Sequence, residues 1–388
     1  MAESSARGFA GLRVAIVHDW LQGYHGSERV VDALVRDVFA DAAVVDLFSF
    51  SAACELMPAE LAAHLRGTSR LSRLPVLRQR GHEPGRWRWL LPYMPGWFRR
   101  LDLEGYDIVV ASSHSCAVHA RPPAGAVHVC YCHTPMRYAW LPGVERRRLR
   151  GPLRLAVGVL GDWLRRGDRR AAGRVGSYVA NSNAVRDRIS AFYGRDAAVI
   201  APPVDTASFR PGGRKEAGHV LWVHRMVSYK RPEIVLEAFR GAPYRLTMVG
   251  IGPLYDRIAA AAPPNVEVRG WIARDELVEL FEAAQAFLHL GEEDFGISMV
   301  EALAAGTPVV ALDRGGARDI VRDGIDGVLL SDASRPSVHA ALDRVMAQGW
   351  DPNALAEQAS QFSREVFATA FRAHVRALMD AKTPGTAP

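Results

Sequence analysis

The chain has 388 residues, of which 49% are hydrophobic and 23% are charged, and its formal net charge is +6 at pH 7. This length predicts two domains or one large one, and the composition is that of an ordinary globular protein. No apolar run approaches the roughly 20 residues that a membrane-spanning helix needs, and the N-terminus lacks a signal-peptide pattern. Four cysteines are too few for a disulfide framework in a chain of this length. We therefore expect a cytosolic protein.

The basic residues are unevenly distributed. Lysine occurs only at positions 215, 230 and 382, so 45 of the 48 basic residues are arginine. Between residues 70 and 100 arginines are interleaved with aromatic side chains, as in GRWRWLLPYMPGWFRR (85–100). Arginine with tryptophan favours the headgroup zone of an anionic membrane, and the alternative is a solvated basic face. No nucleic-acid-binding motif accompanies the patch, so we expect no nucleic-acid partner.

Apolar segments with the pattern of buried strands recur along the chain. In the first half they are residues 13–21, 42–50, 107–113, 126–132 and 176–182. The Pro/Gly-rich segment 201–213 then predicts a linker. After it the predicted strands are residues 219–225, 244–250, 266–271, 286–290, 308–312 and 327–330. Such strands with helical crossovers are typical of parallel, doubly wound sheets, so the sequence predicts an α/β protein with two such domains.

Polar residues follow several strands of the first half. In parallel sheets, ligands bind at the carboxyl ends of the strands, and with two sheets the expected site is the cleft between the domains. These ends carry Asp19, His114 and His133, and Arg137 comes shortly after His133. We interpret Asp19, His114 and Arg137 as acceptor-side candidates, although a structural role for His114 is an equal alternative. Gly26, after the first strand, lets backbone approach a ligand.

The second half supplies cations at equivalent positions. Arg225 and Lys230 follow the strand at 219–225, and a planar guanidinium with a compact ammonium suits a pyrophosphate. The strand at 244–250 ends in a turn that contains Gly250 and Gly252. The other two lysines, at positions 215 and 382, show no pattern that indicates a role.

Residues 291–312, GEEDFGISMVEALAAGTPVVAL, combine two acids with the start of a helix. The backbone N–H groups of Phe295, Gly296 and Ile297 open this predicted helix and offer an anion site. Carboxylates offer only acceptors, which suits Glu301 to a ribose diol and Glu293 to a sugar ring. The alternative, acids favoured by the helix dipole, leaves the Phe-Gly pair unexplained. No Asp-x-Asp motif ends a strand, so we expect no metal and no cofactor besides a nucleotide-sugar substrate.

These motifs resemble the retaining glycosyltransferases of family four. HRMVSYKR (224–231) is similar to the Arg-x4-Lys diphosphate clasp of that family, VGIGPL (249–254) to its glycine-rich turn, and Glu293 with Glu301 to its Glu-x7-Glu element. APPVDTASF (201–209) and FSREVFA (362–368) resemble its interdomain segment and closing helix. VHDWLQGYHGSERVV (17–31) and YCHTPMRYAW (131–140) are more narrowly similar to bacterial enzymes that use GDP-mannose to extend lipid-linked O-antigen or exopolysaccharide units. Two residues depart from the family pattern, His25 and Asp294, which replace glycines.

The resemblance implies a GT-B fold with two Rossmann-like domains. Residues 1–200, with a returning C-terminal helix at about 362–384, would bind the acceptor, and residues 201–361 the nucleotide sugar. Catalytic roles would fall to His133, Glu293, Arg225 and Lys230. Donor contacts would come from Gly26, Arg225, Lys230, Gly250, Gly252, Glu293, Phe295, Gly296, Ile297 and Glu301.

The resemblance also implies a substrate pair and a place in the cell. The donor would be GDP-mannose, and the acceptor would be a lipid-linked saccharide, carried on a polyprenyl diphosphate, or an oligosaccharide in surface-polysaccharide synthesis. The enzyme would be peripheral on the inner face of the cytoplasmic membrane. A UDP-sugar transferase, a sugar-nucleotide 2-epimerase of the same fold and a non-catalytic sugar-nucleotide sensor are the alternatives.

Overall fold

The computed structural model describes residues 8–74, 90–140 and 152–382. These residues form two compact units. The first contains residues 8–74, 90–140, 152–203 and 367–382, and the second contains residues 204–366. The sequence places the boundary at residue 201, and the structure divides the chain after residue 203.

A parallel sheet forms the centre of the first unit. Among its described residues the sheet has seven strands in the order β3-β2-β1-β4-β5-β6-β7. They are β1 (Arg13–His18), β2 (Val44–Ser49), β3 (Leu65–Gly67), β4 (Ile108–Ser113), β5 (Val127–Cys132), β6 (Ser177–Ala180) and β7 (Ala197–Val199). Every residue of β4 and β5 is buried, as continuous apolar strands between helical layers require.

Helices cover this sheet. They are α1 (Gly26–Ala33), continued by a π-helical turn (Leu34–Val38), α2 (Ala59–Ala63), α3 (Met94–Phe98), α4 (Arg137–Trp140), α5 (Pro152–Ala172) and α6 (Asn183–Tyr193). Short 3₁₀ turns lie at Cys54–Leu56, Leu71–Arg73 and Ala117–His119. The last helix, α14 (Arg364–Lys382), buries Phe367, Phe371 and Val375, which recur every four residues and therefore share one face. These three side chains belong to the core of the first unit.

The second unit repeats the architecture. In the part of the chain that is described, its sheet has six parallel strands in the order β10-β9-β8-β11-β12-β13. The strands are β8 (His219–Val223), β9 (Arg245–Val249), β10 (Val266–Arg269), β11 (Ala286–His289), β12 (Val309–Leu312) and β13 (Gly327–Leu330). The helices are α7 (Pro232–Phe239), α8 (Tyr255–Ala261), α9 (Arg274–Ala283), α10 (Ile297–Ala304), α11 (Ala317–Ile320), α12 (Arg335–Ala347) and α13 (Pro352–Ser360), and a 3₁₀ turn spans Ser228–Lys230.

The strand order reverses direction once in each sheet. In the first unit β1 lies between β2 and β4, and in the second β8 lies between β9 and β11. A doubly wound sheet opens a crevice at such a switch point, outside the carboxyl ends of the strands. The loops that follow β1 and β4, and those that follow β8 and β11, are therefore the places where the fold exposes polar side chains to a ligand.

All eleven predicted strands are present in the structure, usually one or two residues shorter than predicted. Two strands were missed, β3 and β7, because each has only three residues and lies at a sheet edge, where no long apolar run is required. In the described ranges we find no helix whose length and hydropathy would let it cross a bilayer.

Candidate active site

The loops after β8 and β11 bring Lys230 and Glu293 into contact in the second unit. Lys230 ends the 3₁₀ turn after β8 and is only 7% exposed. Its ammonium forms an ion pair with Oε1 of Glu293, which lies in the loop between β11 and α10. Arg225 follows β8 as well, and its side chain is exposed. The two segments that the sequence assigns to a donor therefore meet at the switch point of this sheet.

Two buried histidines, His224 and His289, lie beside this ion pair, and the sequence analysis did not single them out. Each immediately follows or ends a strand, β8 and β11 respectively. Nε2 of His224 is 3.0 Å from Nδ1 of His289, which is a hydrogen bond between the rings. Nδ1 of His224 and Nε2 of His289 lie 3.6 Å and 3.8 Å from Oε1 of Glu293. The signal in the sequence is their position, since both lie at the carboxyl ends of predicted strands, where polar side chains indicate a site.

Both histidines are neutral at pH 7. Burial, together with the Lys230 ammonium, holds the pKa of His224 well below its usual range and lowers the pKa of His289 to about 3. Uncharged imidazoles and a carboxylate are possible metal ligands. Within the described residues, His224, His289 and Glu293 are the one group of three such side chains whose ligand atoms lie within 4.8 Å of one another.

Gly250 and Gly252 are required by the packing of one loop on another. A Cβ at residue 250 would lie 2.0 Å from the carbonyl oxygen of His224, and one at residue 252 would lie 2.5 Å from that of Met226. Their φ angles are 143° and 156°. The turn after β9 thus packs directly against the loop that carries Arg225, and this packing holds that loop in place. Their predicted contact with the donor stays a prediction.

The N-terminus of α10 has the predicted form. The helix begins at Ile297, and Gly296 precedes it with a φ of 114°, a conformation that favours glycine. The ring of Phe295 is buried against Phe362, with ring centroids 5.5 Å apart. Gly296 and Ile297 therefore have the free backbone donors of a helix start, as an anion site requires.

The loop after β12 fixes the Glu293 loop, and the sequence analysis missed it. The N–H of Gly316 donates to the carbonyl of Glu293 at 2.9 Å. A Cβ at residue 315 would lie 2.1 Å from that carbonyl oxygen, and a Cβ at residue 316 would lie 2.1 Å from the carbonyl oxygen of Phe295. Only glycines allow this approach. The Gly-Gly pair in DRGGARD (313–319) was the available signal.

Glu301 is buried in α10 and has a cationic partner. Nη1 of Arg274, the first residue of α9, donates to Oε1 of Glu301 at 2.9 Å. The guanidinium also lies over the ring of Phe209, 4.9 Å from its centroid. The predicted ribose contact of Glu301 would therefore be made by a carboxylate that Arg274 already orients, and Arg274 is a site residue that the sequence analysis did not identify.

Lys215 has a structural role, which corrects the expectation that it has none. Its ammonium donates to the carbonyls of Glu282 and Ala305, at 2.8 Å and 3.0 Å, and to Oγ1 of Thr307 at 2.7 Å. An ammonium has three donors, and all three are used here. Lys382 likewise donates to the carbonyl of Ala126. Lysine at these positions satisfies carbonyl groups.

Asp19 organises the candidate site of the first unit. The side chain is fully buried, and its two carboxylate oxygens accept hydrogen bonds from the backbone N–H groups of residues 114 to 117. Asp19 thereby holds the loop after β4, which carries His114. This geometry gives Asp19 a positioning role, and its predicted contact with an acceptor stays a prediction.

His133 belongs to a hydrogen-bonded chain across three strand ends. Oγ of Ser112 lies 2.8 Å from Nε2 of His133 and 3.1 Å from Nδ1 of His18. The carbonyl of His133 accepts a hydrogen bond from the amide of Asn181 at 3.1 Å. The His114 ring lies 6.0 Å from that of His133 and 5.6 Å from that of His18. His18 and Ser112 are further residues that the sequence analysis missed.

Two further residues that the sequence assigns to the site, Gly26 and Arg137, also belong to the first unit. Gly26 is the first residue of α1, and His25 precedes the helix, with its backbone N–H donating to Oε2 of Glu28 at 3.2 Å. Arg137 is half-buried at the start of α4. Burial lowers the pKa of His133 well below its usual range, and the neighbouring His114 and His18 add to this, so His133 is neutral at pH 7.

Comparison with known proteins relates this chain to sugar transferases. Residues 204–362 match the family model described as Glycosyl transferases group 1, and residues 24–208 match the model described as Glycosyltransferase Family 4. D-inositol 3-phosphate glycosyltransferase of Mycobacterium marinum is 32% identical over 222 residues, which are 48% of this chain and 46% of that protein. The chain therefore spans about half the length of the curated relatives it matches.

Two of the solved structures that this chain resembles cover nearly all of it. Sucrose-phosphate synthase from Thermosynechococcus elongatus has a TM-score of 0.70 and 18% identity, covering 95% of this chain and 100% of that one. Anabaena HepE, in complex with UDP, has a TM-score of 0.67 and 16% identity, covering 94% and 100%. At these identities the likeness shows the fold, which is GT-B with two parallel-sheet α/β units, and the predicted fold class is confirmed.

Proposed function

The chain is related to the family-four glycosyltransferases and has the GT-B fold, and from this premise we propose that it is a retaining glycosyltransferase that uses a nucleoside-diphosphate sugar. The observation that carries the proposal is the contact between Lys230 and Glu293 at the switch point of the second sheet. A cation for a diphosphate and a carboxylate for a sugar are thereby held side by side.

The proposed roles follow from the charges at this site. Lys230 and Arg225 bind the diphosphate, and the backbone donors at the start of α10, after Phe295, face the same charge. They stabilise the leaving group as the bond to the sugar breaks, which is electrostatic stabilisation by groups already in place. Glu301, oriented by Arg274, accepts hydrogen bonds from the ribose. These groups supply positive charge without a metal ion.

In the proposed exchange, Glu293 changes partner when the donor binds. In the structure its Oε1 is paired with the ammonium of Lys230. A diphosphate carries more negative charge than one carboxylate and attracts Lys230, which leaves Glu293 to accept hydrogen bonds from hydroxyl groups of the sugar. His133, in the first unit, is assigned to the reacting bond and the acceptor side. The ion pair between Lys230 and Glu293 thus keeps both groups beside the proposed position of the donor.

We propose mannose from GDP-mannose as the donor and a polyprenyl-diphosphate-linked saccharide as the acceptor, in surface-polysaccharide synthesis. Support comes from the similarity of residues 17–31 and 131–140 to bacterial mannosyltransferases of that kind. A UDP-sugar is the second candidate donor, because HepE, which shares the fold, was solved in complex with UDP. An inositol phosphate, which the names of the curated relatives include, is the second candidate acceptor.

One incubation series separates these functions. The purified protein is mixed with GDP-mannose, UDP-glucose or UDP-galactose, each with and without a polyprenyl-diphosphate saccharide or inositol phosphate. We expect acceptor-dependent release of GDP and a mannosylated product with the donor's anomeric configuration. Inversion at C2 of the sugar without transfer would instead identify an epimerase. Nucleotide-sugar binding with neither product would identify a sensor and contradict the proposal.

A further inference from the structure

Trp140, the last residue of α4, is held by side chains of two other helices. Its Nε1 donates a hydrogen bond to Oδ2 of Asp168 in α5 at 2.7 Å. Its ring stacks on that of Phe192 in α6, with centroids 4.9 Å apart and an angle of 10° between the planes. The guanidinium carbon of Arg169 lies over the ring, 4.9 Å from its centroid. A hydrogen bond at one edge and contacts over the ring restrict both the place and the orientation of this indole.

Asp168 joins three helices through one oxygen atom. The residue is fully buried, and Oδ2 also accepts a hydrogen bond from the hydroxyl group of Tyr193, the last residue of α6, at 2.7 Å. Oδ1 has no hydrogen-bond partner among the described residues, and Nε2 of His119 lies 3.9 Å from it. A buried carboxylate is costly unless it accepts hydrogen bonds. The indole N–H and the phenol O–H are the donors that the described residues give to Asp168.

The segment that ends at Trp140 carries two residues that the sequence assigns to the site. We call residues 133–140 the acceptor-side segment. His133 begins it, and Arg137 is the first residue of α4. This helix has four residues, and its N–H at residue 140 donates to the carbonyl of Met136 at 3.0 Å. So short a helix is not stable without tertiary contacts, so the place of Arg137 depends on what holds the segment.

Contacts hold the acceptor-side segment at both ends. At its beginning lie the hydrogen bonds of His133 described above, and Nη1 of Arg188 in α6 donates to Oγ1 of Thr134 at 3.4 Å. At its end lies Trp140, three residues after Arg137. Three residues of a helix rise about 4.5 Å along its axis. A displacement of Trp140 would therefore move Arg137 with it.

From these contacts we propose that Trp140 and Asp168 are positioning residues for the acceptor-side segment, a role that rests on the proposed function. Asp168 fixes the edge of the indole, and Trp140 thereby fixes α4 and the place of Arg137 relative to His133. A displacement of about 1 Å far from the reacting atoms can lower a rate about 100-fold. Tyr193 bonds the same oxygen but lies in α6, so its hydrogen bond serves the packing of α5 on α6.

The first test compares the two hydrogen-bond donors of Oδ2. Trp140→Phe removes the indole N–H, whereas Tyr193→Phe removes a hydroxyl group that bonds the same carboxylate from outside the segment. Transfer from GDP-mannose is measured with the acceptor that supports it in the incubation series proposed above, and GDP binding is measured by calorimetry. Hydrogen exchange of the backbone N–H groups of residues 139 and 140, which both donate to the carbonyl of Met136, is followed by mass spectrometry.

We expect Trp140→Phe to lower kcat/KM for the acceptor about tenfold, the value of one hydrogen bond to a charged group, and to raise the exchange rate at residues 139 and 140 by a similar factor. The number of GDP sites per chain should stay unchanged, because a loss of folded protein would reduce it. Tyr193→Phe should stay within about threefold of the wild type in both measurements. Equal effects of the two substitutions, or wild-type exchange in Trp140→Phe, would overturn the positioning role.

A double-mutant cycle tests whether Asp168 acts through Trp140. Asp168→Ala should lower kcat/KM for the acceptor about as much as Trp140→Phe. The variant with both substitutions should lose no more than the larger single loss, because the two substitutions break the same contact. Losses that add would mean that Asp168 acts in another way and would overturn its positioning role.

A surface substitution keeps the proposal falsifiable if these variants do not fold. Arg169→Ala removes the cation over the Trp140 ring and its hydrogen bond to the carbonyl of Phe192, and Arg170→Ala, at the exposed neighbouring arginine of α5, is the matched control. We expect exchange at residues 139 and 140 to be about threefold faster in Arg169→Ala and unchanged in the control. Equal rates would overturn the proposal. No transfer by the wild type to any acceptor of the series would overturn the proposed function, and the exchange rates would still decide whether Trp140 holds the segment.

Discussion

The ammonium of Lys230 and the carboxylate of Glu293 form an ion pair between the loops that follow β8 and β11. These loops leave neighbouring strands at the point where the strand order of the second sheet reverses. Lys230 is buried and Glu293 is half-buried, and the buried His224 and His289 lie beside the pair, 3.6 Å and 3.8 Å from Oε1 of Glu293.

Ser112→Ala should impair catalysis more than stability. Oγ of Ser112 is the hydrogen-bond partner of His133 Nε2. Without this hydroxyl group, its hydrogen bond no longer determines which ring nitrogen of His133 carries the proton. We expect kcat to fall about tenfold, equivalent to one hydrogen bond, with a smaller change in donor KM. Steady-state kinetics check this. Ser113→Ala is the control, because Oγ of Ser113 accepts from the backbone of Val118. Equal kcat in the two variants would argue against a role for His133 at the reacting bond.

The first unit should lose stability as the pH falls from 6.5 towards 4, and His128 should contribute. Burial, with repulsion from Lys382 and Arg174, lowers the pKa of His128 to about 4. Between these pH values the unfolded chain binds a proton that the folded chain does not, so the free energy of unfolding falls as the pH is lowered. The contribution at pH 4 is on the order of 2–3 kcal/mol.

His128→Leu is the variant that isolates this effect. Urea unfolding at pH 7 and at pH 4.5 should show a smaller loss of stability in the variant than in the wild type. Asp168, whose pKa burial raises to about 6, changes stability in the opposite direction and is present in both proteins. An identical pH dependence in the two proteins would mean that His128 accepts a proton in the folded state.

Turnover should survive the removal of divalent metal ions. In the proposed site, Lys230, Arg225 and the backbone donors at the start of α10 supply the positive charge that the leaving diphosphate needs. We expect the rate to change less than about twofold after dialysis against EDTA, since no charge in the site depends on a metal. An absolute requirement for Mg²⁺ or Mn²⁺, restored by adding the ion, would show a metal site that this account lacks.

The arginine-rich stretch 70–100 should bind anionic membranes. About half of it, residues 75–89, lies outside the described residues, and that part includes Arg86, Arg88, Trp87 and Trp89. Each arginine near an anionic surface contributes about 1 kcal/mol, and salt screens the attraction. We expect co-sedimentation with anionic but not neutral liposomes, lost at high salt and reduced when Arg86, Arg88, Arg99 and Arg100 are replaced by Ser. Equal partitioning onto both kinds of vesicle, or binding to neither, would contradict this prediction and leave the arginines as a solvated basic face.

The fold can be predicted from the sequence because the apolar runs that mark its central strands are long. Apolar runs such as 107–113 and 126–132 are continuous only when a strand is buried on both sides, and the structure has β4 and β5 there. The Arg-x4-Lys and Glu-x7-Glu spacings also identify the two loops that meet. A short edge strand such as β7 has no comparable pattern and was missed.

Side-chain pairing was the part that the sequence could not supply. Nothing local in the chain says that Arg274 pairs with Glu301, or that the ammonium of Lys215 fits among carbonyls at the end of α10. These contacts depend on how separate loops pack. Gly250 shows the same limit: it was interpreted as a ligand contact, and the close approach of the His224 carbonyl is sufficient to require a glycine there.

The most direct test of the account is calorimetry with GDP on Lys230→Ala. The substitution removes the cation and leaves Glu293 as an uncompensated negative charge facing the diphosphate. Affinity should therefore fall about tenfold or more, the value of a hydrogen bond to a charged group. Arg240→Ala is the matched control, because Arg240 is an exposed cation of the same unit, paired at 3.5 Å with Glu237. We predict weakened binding in folded Lys230→Ala and normal binding in the control; GDP affinity equal to the wild type in folded Lys230→Ala would contradict the account.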